Sequence, residues 1–178
     1  MTDFYDVGAV ARVAINLFNG YGYNFYREEN QLRADDQRIR ALAGSLLAQA
    51  RASLAAAEGD YRRTNIPPPT REKPFPDPAV TANAQAIERL SSAVGGLEGQ
   101  IRHQPVPEND RMTQRYRKEA ETLEALGEKD KALVGQAELL RALLAGLGGD
   151  AVLQRKPEIE QGIAAIGETL RGRAMLLA

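Results

Sequence analysis

The chain has 178 residues, a formal net charge of −1 and no cysteine. This length is enough for one domain with its own core. The near-zero charge gives no long-range attraction for nucleic acid or for an anionic membrane surface, and the absence of cysteine excludes disulfides, thiolate metal sites and thiol chemistry. Acidic Asp3 and Asp6 stand where a signal peptide needs basic residues, and no apolar run approaches the roughly 18 residues of a membrane span, so we expect a cytoplasmic protein.

The N-terminal segment, residues 1–24, is the most unusual part of the sequence. Its apolar residues recur every three or four positions and predict a helix over residues 4–18, followed by a turn. Seven of the ten aromatic residues of the chain lie in the first 26 positions, and aromatic side chains are enriched at protein interfaces. The candidate partner-binding residues are Phe4, Tyr5, Val7, Phe18, Tyr21, Tyr23, Phe25 and Tyr26.

We interpret this segment as a docking element for a partner protein or for a second copy of the chain, since an apolar patch on a soluble protein usually marks an interaction site. The alternatives are a local core at one end of the molecule and a helix lying on a membrane surface, for which the first helix carries Arg12 as its one basic residue.

Long amphipathic helices account for the rest of the chain, which we assign to one bundle domain, residues 25–178. The first of these helices is predicted over residues 25–63. Its apolar stripe keeps its phase on both sides of Gly44, so we expect one uninterrupted helix. The stripe consists of Leu32, Ile39, Leu42, Leu46, Ala50, Leu54, Ala57 and Tyr61.

Two proline-rich connections separate the helices. Residues 66–78, called here the proline segment, contain six prolines. Proline lacks the amide donor and disfavours helix at the residue before it, so we expect an extended, polyproline-like conformation that can provide secondary contacts to a partner. Residues 103–108 form a second, shorter connection of the same kind.

The third and fourth long segments carry the 3-4 spacing of helices packed side by side. The third helix, residues 79–102, has the seam Val80, Asn83, Ile87, Leu90, Val94, Leu97 and Ile101. Glycines 95, 96 and 99 lie beside this seam, which predicts the close approach of a neighbouring backbone.

The fourth helix begins at Asn109 or Asp110 and is expected to end at Gly148–Gly149. Its seam consists of Met112, Tyr116, Glu119, Leu123, Leu126, Asp130, Leu133, Ala137, Leu140, Leu144 and Leu147. A last helix is predicted from about Pro157, because proline suits the first helical turn. Its apolar face consists of Ile159, Ile163, Ile166, Leu170 and Leu177.

These elements predict an all-α fold. We expect an elongated antiparallel helical bundle of four long helices plus a short N-terminal helix, joined by Pro-rich extended segments. No alternating run rich in β-branched residues indicates a strand.

Carboxylates on the long helices are the main candidates for chemistry. They are Glu28, Glu29, Asp35, Asp36, Glu119 and Asp130. Metal sites in bundles use such carboxylates together with Glu-x-x-His motifs, and the single histidine, His103, lies in a connection. We therefore expect these acids to pair with arginines or to set helix register, and we predict no metal, cofactor or catalytic residue. Whether Glu119 and Asp130 set register or bind a ligand stays open at this point.

Basic residues cluster at Arg62–Arg63 and at Arg111, Arg115, Arg117 and Lys118. Such clusters can bind nucleic acid. Acidic residues follow the second cluster directly, which is typical of a salt-bridged helix face in solvent.

The favoured function is a non-enzymatic protein–protein interaction protein, acting as an accessory subunit, assembly factor or scaffold of a larger complex. One alternative is a bundle enzyme or carrier that uses the inward carboxylates with a metal or small ligand. Another is a weak nucleic-acid binder. The sequence does not identify the partner, the oligomeric state, or whether the seams close within one chain or between chains.

Overall fold

The computed structural model of this protein describes residues 10, 12–14, 16–17, 32–104 and 119–177. Every regular element in these ranges is a helix, which confirms the predicted all-α class. The described elements are α1, with residues 10, 12–14 and 16–17, α2 (Leu32–Asn65), α3 (Pro78–Arg102), α4 (Glu119–Leu144), α5 (Gly149–Gln154) and α6 (Lys156–Leu177).

The long helices form two antiparallel pairs. In the first pair, Arg40 of α2 donates a hydrogen bond to the carbonyl oxygen of Gln104 just beyond α3 (3.3 Å), while Tyr61 near the end of α2 meets Asn83 near the start of α3 (3.1 Å). In the second pair, a contact between Gln136 and Thr169 joins the middle of α4 to α6.

The two pairs pack side by side into one bundle. One end of α2 is linked to the first half of α4 through charged side chains described below. The other end of α2 places Tyr61 against Gly149, the first residue of α5. Leu97 of α3 lies beside Gly167 of α6. Since α2 has 34 residues, the long axis of the bundle approaches roughly 50 Å at 1.5 Å per residue. The described seams therefore close within the chain, and the elongated bundle is confirmed.

The predicted seams supply the core. The apolar seam residues of α3 from Ile87 to Ile101 are at most 5% exposed, and in α4 the seam is buried from Leu126 to Leu144. On α2, Gly44 lies within an uninterrupted helix, as predicted. The side chains of Glu119 and Leu123, together with Met112 and Tyr116, lie outside the described residues.

The predicted end of α4 is wrong. The helix ends at Leu144, and Gly146 adopts a left-handed conformation with φ 72°, which costs glycine less than any other residue. Gly148 and Gly149 instead begin the short helix α5, with Gly148 as its N-cap. The apolar period continued to Leu147, so periodicity alone gave no sign of this break.

The predicted close approach at glycines 95, 96 and 99 is also wrong. An added Cβ at Gly95 would meet only the Arg51 side chain, and at Gly96 and Gly99 it would meet nothing within 4 Å. The tight contacts lie elsewhere. A Cβ at Gly135 of α4 would lie 2.6 Å from Val10 Cγ1 of α1 and even closer to the Val10 carbonyl oxygen.

Candidate functional site

Three charged residues occupy seam positions on three different helices. Asp36 on α2 and Asp130 on α4 each lie three residues before a buried apolar residue of their own helix, and Arg173 on α6 lies three residues after Leu170. Helical periodicity thus turns all three side chains towards the core. All three are fully buried, at 0% exposure.

The three side chains form one charge cluster. Arg173 donates from Nε to Asp130 Oδ1 at 2.7 Å and from a terminal nitrogen to Asp36 Oδ1. The other oxygen of Asp36 lies 2.8 Å from a terminal nitrogen of Arg40, whose side chain is 15% exposed. Two carboxylates and two guanidinium groups therefore alternate across α4, α6 and α2, and their formal charges cancel.

Electrostatics keep Arg173 charged. Burial acts to lower the pKa of its guanidinium, but attraction and hydrogen bonds from Asp130 and Asp36 outweigh burial and raise that pKa above its ordinary value. A cation with a raised folded-state pKa stabilises the fold at every pH below its unfolded pKa, and this contribution is lost only as the pH rises through the folded value. Deprotonation of Arg173 therefore plays no part at neutral or mildly alkaline pH.

Both carboxylates of the cluster are occupied by ion pairs. Asp36 and Asp130 were candidates for a metal or substrate site, and both bind the guanidinium of Arg173. Within the described ranges, no group of three or more histidine, cysteine, aspartate or glutamate side chains could hold a metal ion. The remaining candidates Glu28 and Glu29, and the side chains of Asp35 and Glu119, lie outside the described residues.

Arg173 itself was missed in the sequence analysis, although a signal for it was available. The face of α6 repeats with spacings of four, three and four from Ile159 to Leu170, and the next step of three falls on Arg173. A charged residue in phase with an apolar seam predicts a buried ion pair, because a buried charge without a partner is too costly to keep.

All eight predicted partner-binding residues lie outside the described residues: Phe4, Tyr5, Val7, Phe18, Tyr21, Tyr23, Phe25 and Tyr26. Their neighbours on α1 are informative. Val10 (6% exposed) and Ala14 (0%) are buried, and Ala14 belongs to the main core, while Arg12 and Asn16 are exposed. The described part of α1 thus has one face in the core and one in solvent. The domain division between residues 24 and 25 stays a prediction.

Basic residues at the end of α2 are paired with acids. Arg62 binds Glu58 and also lies 3.4 Å from Glu88 of α3, and Arg63 binds Asp60. The hydrogen bond to Glu58 is the largest influence on Arg62 and raises its pKa. Residues 111–118, which hold the second basic cluster, lie outside the described part of the chain.

The proline segment is the most exposed stretch of the described chain. Every residue from Pro67 to Ala79 is exposed, and Phe75 is 84% exposed. His103, at the end of α3, is also exposed, with its ring Nδ1 2.8 Å from the carbonyl oxygen of Gly99. Histidine side chains near a helix C-terminus commonly bind the last carbonyl groups of the helix in this way.

Comparison with family models, with curated proteins and with solved structures gives no match for this chain. None of the described helices combines the length and apolar character needed to cross a membrane.

Proposed function

We propose that this chain is a non-enzymatic protein–protein interaction protein, an accessory subunit, assembly factor or scaffold that docks through its N-terminal segment. The observation that carries the proposal is the occupation of both described inward carboxylates by Arg173. A bundle enzyme or carrier needs its inward carboxylates for a metal or a substrate. Here they neutralise a buried cation and connect three helices, which is a structural role.

In this proposal the interaction surface lies outside the core. The N-terminal segment contains most of the aromatic residues of the chain, and the buried Val10 and Ala14 attach it to the bundle. An attached segment offers its aromatic side chains to a partner at a lower entropic cost than a free tail does. We expect the protein to act in the cytoplasm, in keeping with its lack of cysteine.

The test compares partner capture with thermal melting. In the variant Phe4→Ser/Phe18→Ser, we expect loss of the captured partner, or of self-association, with little change in melting temperature. Aromatic anchors of this kind each contribute about 2 kcal/mol or more to binding. The matched control is Arg12→Ser/Asn16→Ser, which changes exposed residues of the same segment.

Two outcomes would overturn the proposal. If Phe4→Ser/Phe18→Ser melts at a much lower temperature, these residues belong to the core and the docking hypothesis fails. If the purified wild type contains a stoichiometric metal ion that is lost in Asp130→Asn, the inward carboxylates bind a ligand and the non-enzymatic assignment fails. Salt-sensitive retention on heparin would favour the nucleic-acid alternative.

A further inference from the structure

The connection between α2 and α3 is longer than the packing of these helices requires. The two helices are antiparallel neighbours, and contacts reach almost to their joined ends, at Tyr61–Asn83 and Arg62–Glu88. Neighbouring helices in a bundle are usually joined by roughly two to eight residues. Residues 66–77 exceed that length, and unusually long loops in compact domains serve as binding loops or as linkers.

This connection is preformed. Six prolines fix the backbone on both arms of the proline segment. Between the arms, Lys73 N donates to Thr70 Oγ1 and Thr70 N donates to the Lys73 carbonyl oxygen, each at 3.1 Å, which closes a turn. At its end, Asp77 has φ −61° and ψ 128°, close to polyproline II, and its carboxylate caps α3 by accepting from Ala79 N at 2.7 Å. Little conformational entropy is left to lose on binding.

Phe75 is the apolar anchor of the segment. It stands between Pro74 and Pro76, and 84% of its surface is exposed. A single exposed apolar residue is ordinary on a protein surface. Here, however, the residue is held on a proline-stiffened loop of which Pro67 to Ala79 are all exposed. The fold gains no burial from Phe75, whereas a partner would.

We propose that the proline segment docks in a groove of a partner protein lined by aromatic side chains, with an apolar pocket for Phe75 and an acidic rim facing Arg71 and Lys73. This inference rests on the proposed interaction function and adds a second docking element to it. Proline rings pack on aromatic faces, and the segment's carbonyl groups accept hydrogen bonds from indole or phenol donors.

The charged residues of the loop indicate which charge the rim of the partner's groove carries. Arg71 and Lys73 are exposed beside Phe75, and Glu72 is the one acid between them. The other nearby acid, Asp77, is engaged in capping α3. The turn from Thr70 to Phe75 carries a net charge of +1, which an acidic rim complements. Asp77, which stays charged, lies two residues beyond Phe75 at the start of α3.

The experiment uses the full chain in the cells that naturally make it. Phe75 is replaced by the photoreactive analogue benzoylphenylalanine, and in a control chain Met175, an exposed apolar residue at the far end of α6, is replaced instead. After irradiation, the crosslinked residue of the partner is mapped by mass spectrometry. The partner is then purified, and its affinity is measured for wild type, Phe75→Ser, Met175→Ser and Arg71→Glu/Lys73→Glu.

We expect a crosslink specific to position 75 on a partner residue in a groove with aromatic lining and an acidic rim. Phe75→Ser should weaken binding about tenfold or more, charge reversal should weaken it and reduce its salt dependence, and Met175→Ser should have no effect. Melting temperatures should stay unchanged in all three variants.

The inference is overturned by a crosslink no stronger than that at position 175, by a crosslink to a second copy, a lipid or a nucleic acid, or by unchanged affinity of Phe75→Ser. If Phe75→Ser still binds while Phe4→Ser/Phe18→Ser does not, the second docking element is wrong and the proposed function stands. If neither variant affects binding, both proposals fail.

Discussion

Arg173 is the largest fully buried side chain of the described chain. The variant Arg173→Met leaves Asp36 and Asp130 buried without their shared cation. Removing one member of a buried ion pair costs about 3–5 kcal/mol when the remaining charge is uncompensated. Here Asp36 keeps Arg40 beside it, which favours the lower end of this range. We therefore expect the free energy of unfolding in urea to fall by an amount of this order.

The matched variant removes the whole cluster. The variant Asp36→Leu/Asp130→Leu/Arg173→Met removes the three fully buried charges of the cluster, and Arg40, which is partly exposed, can turn to solvent. Replacement of a complete buried cluster by apolar residues is often neutral or stabilising. We expect the triple variant to recover most of the stability lost in Arg173→Met. Equal stability of wild type and Arg173→Met would show that the cluster does not form.

The sequence predicted the position of the buried acid Asp130 but not its partner. Its seam position follows from period alone, because Leu126 and Leu133 flank it at spacings of four and three. The partner lies 43 positions further along the chain, on a helix whose orientation only tertiary packing determines. Leucine at Asp130 would remove one of the two carboxylates that bind Arg173, so this seam position is not neutral.

At the scale of the helices, two glycines of similar sequence context have opposite roles. Gly135 in α4 has Val10 packed against it, so Gly135→Ala forces α1 and α4 apart. Gly44 in α2 has open space around its Cα, so Gly44→Ala adds only helix propensity. We expect Gly44→Ala to stabilise by about 1 kcal/mol and Gly135→Ala to destabilise by about 1–3 kcal/mol.

These two predictions are tested by measuring the melting temperatures of Gly44→Ala and Gly135→Ala, with Gly96→Ala as a control. Gly96 is exposed in α3 with no atom within 4 Å of an added Cβ. Gly96→Ala should therefore raise the melting temperature, as expected for Gly44→Ala. A stabilising effect of Gly135→Ala would mean that α1 does not pack on α4 as described.

The helices themselves could be predicted from the sequence, and their ends and close contacts could not. Apolar residues at 3-4 spacing placed α3, the start of α6 and the end of α2 within a few residues, because burial of a stripe determines where a helix runs. The predicted start of α2 at residue 25 lies outside the described residues. The break at Gly146 depends on a left-handed conformation of that residue. Three other glycines lie close by in the sequence, at positions 135, 148 and 149, so composition does not single out Gly146. Which glycine turns the chain depends on Tyr61, which packs on Gly149 from another helix.

For the whole molecule, the arrangement of two antiparallel pairs predicts an elongated particle. Circular dichroism should show a helix content well above the 30–35% average of globular proteins. Small-angle scattering should give a maximum dimension larger than that of a sphere of equal mass, because α2 alone spans roughly 50 Å. A near-spherical scattering profile would contradict the described bundle.

The last prediction concerns the attachment of α1 to the bundle. Apolar periodicity alone predicts a bundle that folds without residues 1–22, because the seams of the long helices are complete without them. Val10 and Ala14 change this expectation, because they are buried and Gly135 lies against Val10. Deletion of residues 1–22 uncovers this part of α4 and loses the burial of both side chains.

We therefore expect the deletion to lower the free energy of unfolding by about 2 kcal/mol or more, on the basis of the apolar area that is lost. Val10→Ala should reproduce part of the loss, while Arg12→Ser, on the exposed side of α1, should not. Urea unfolding of the three variants distinguishes core from docking roles within one short segment. If the deleted chain is as stable as the full one, α1 contributes nothing to the bundle, and the whole N-terminal segment is free to bind a partner.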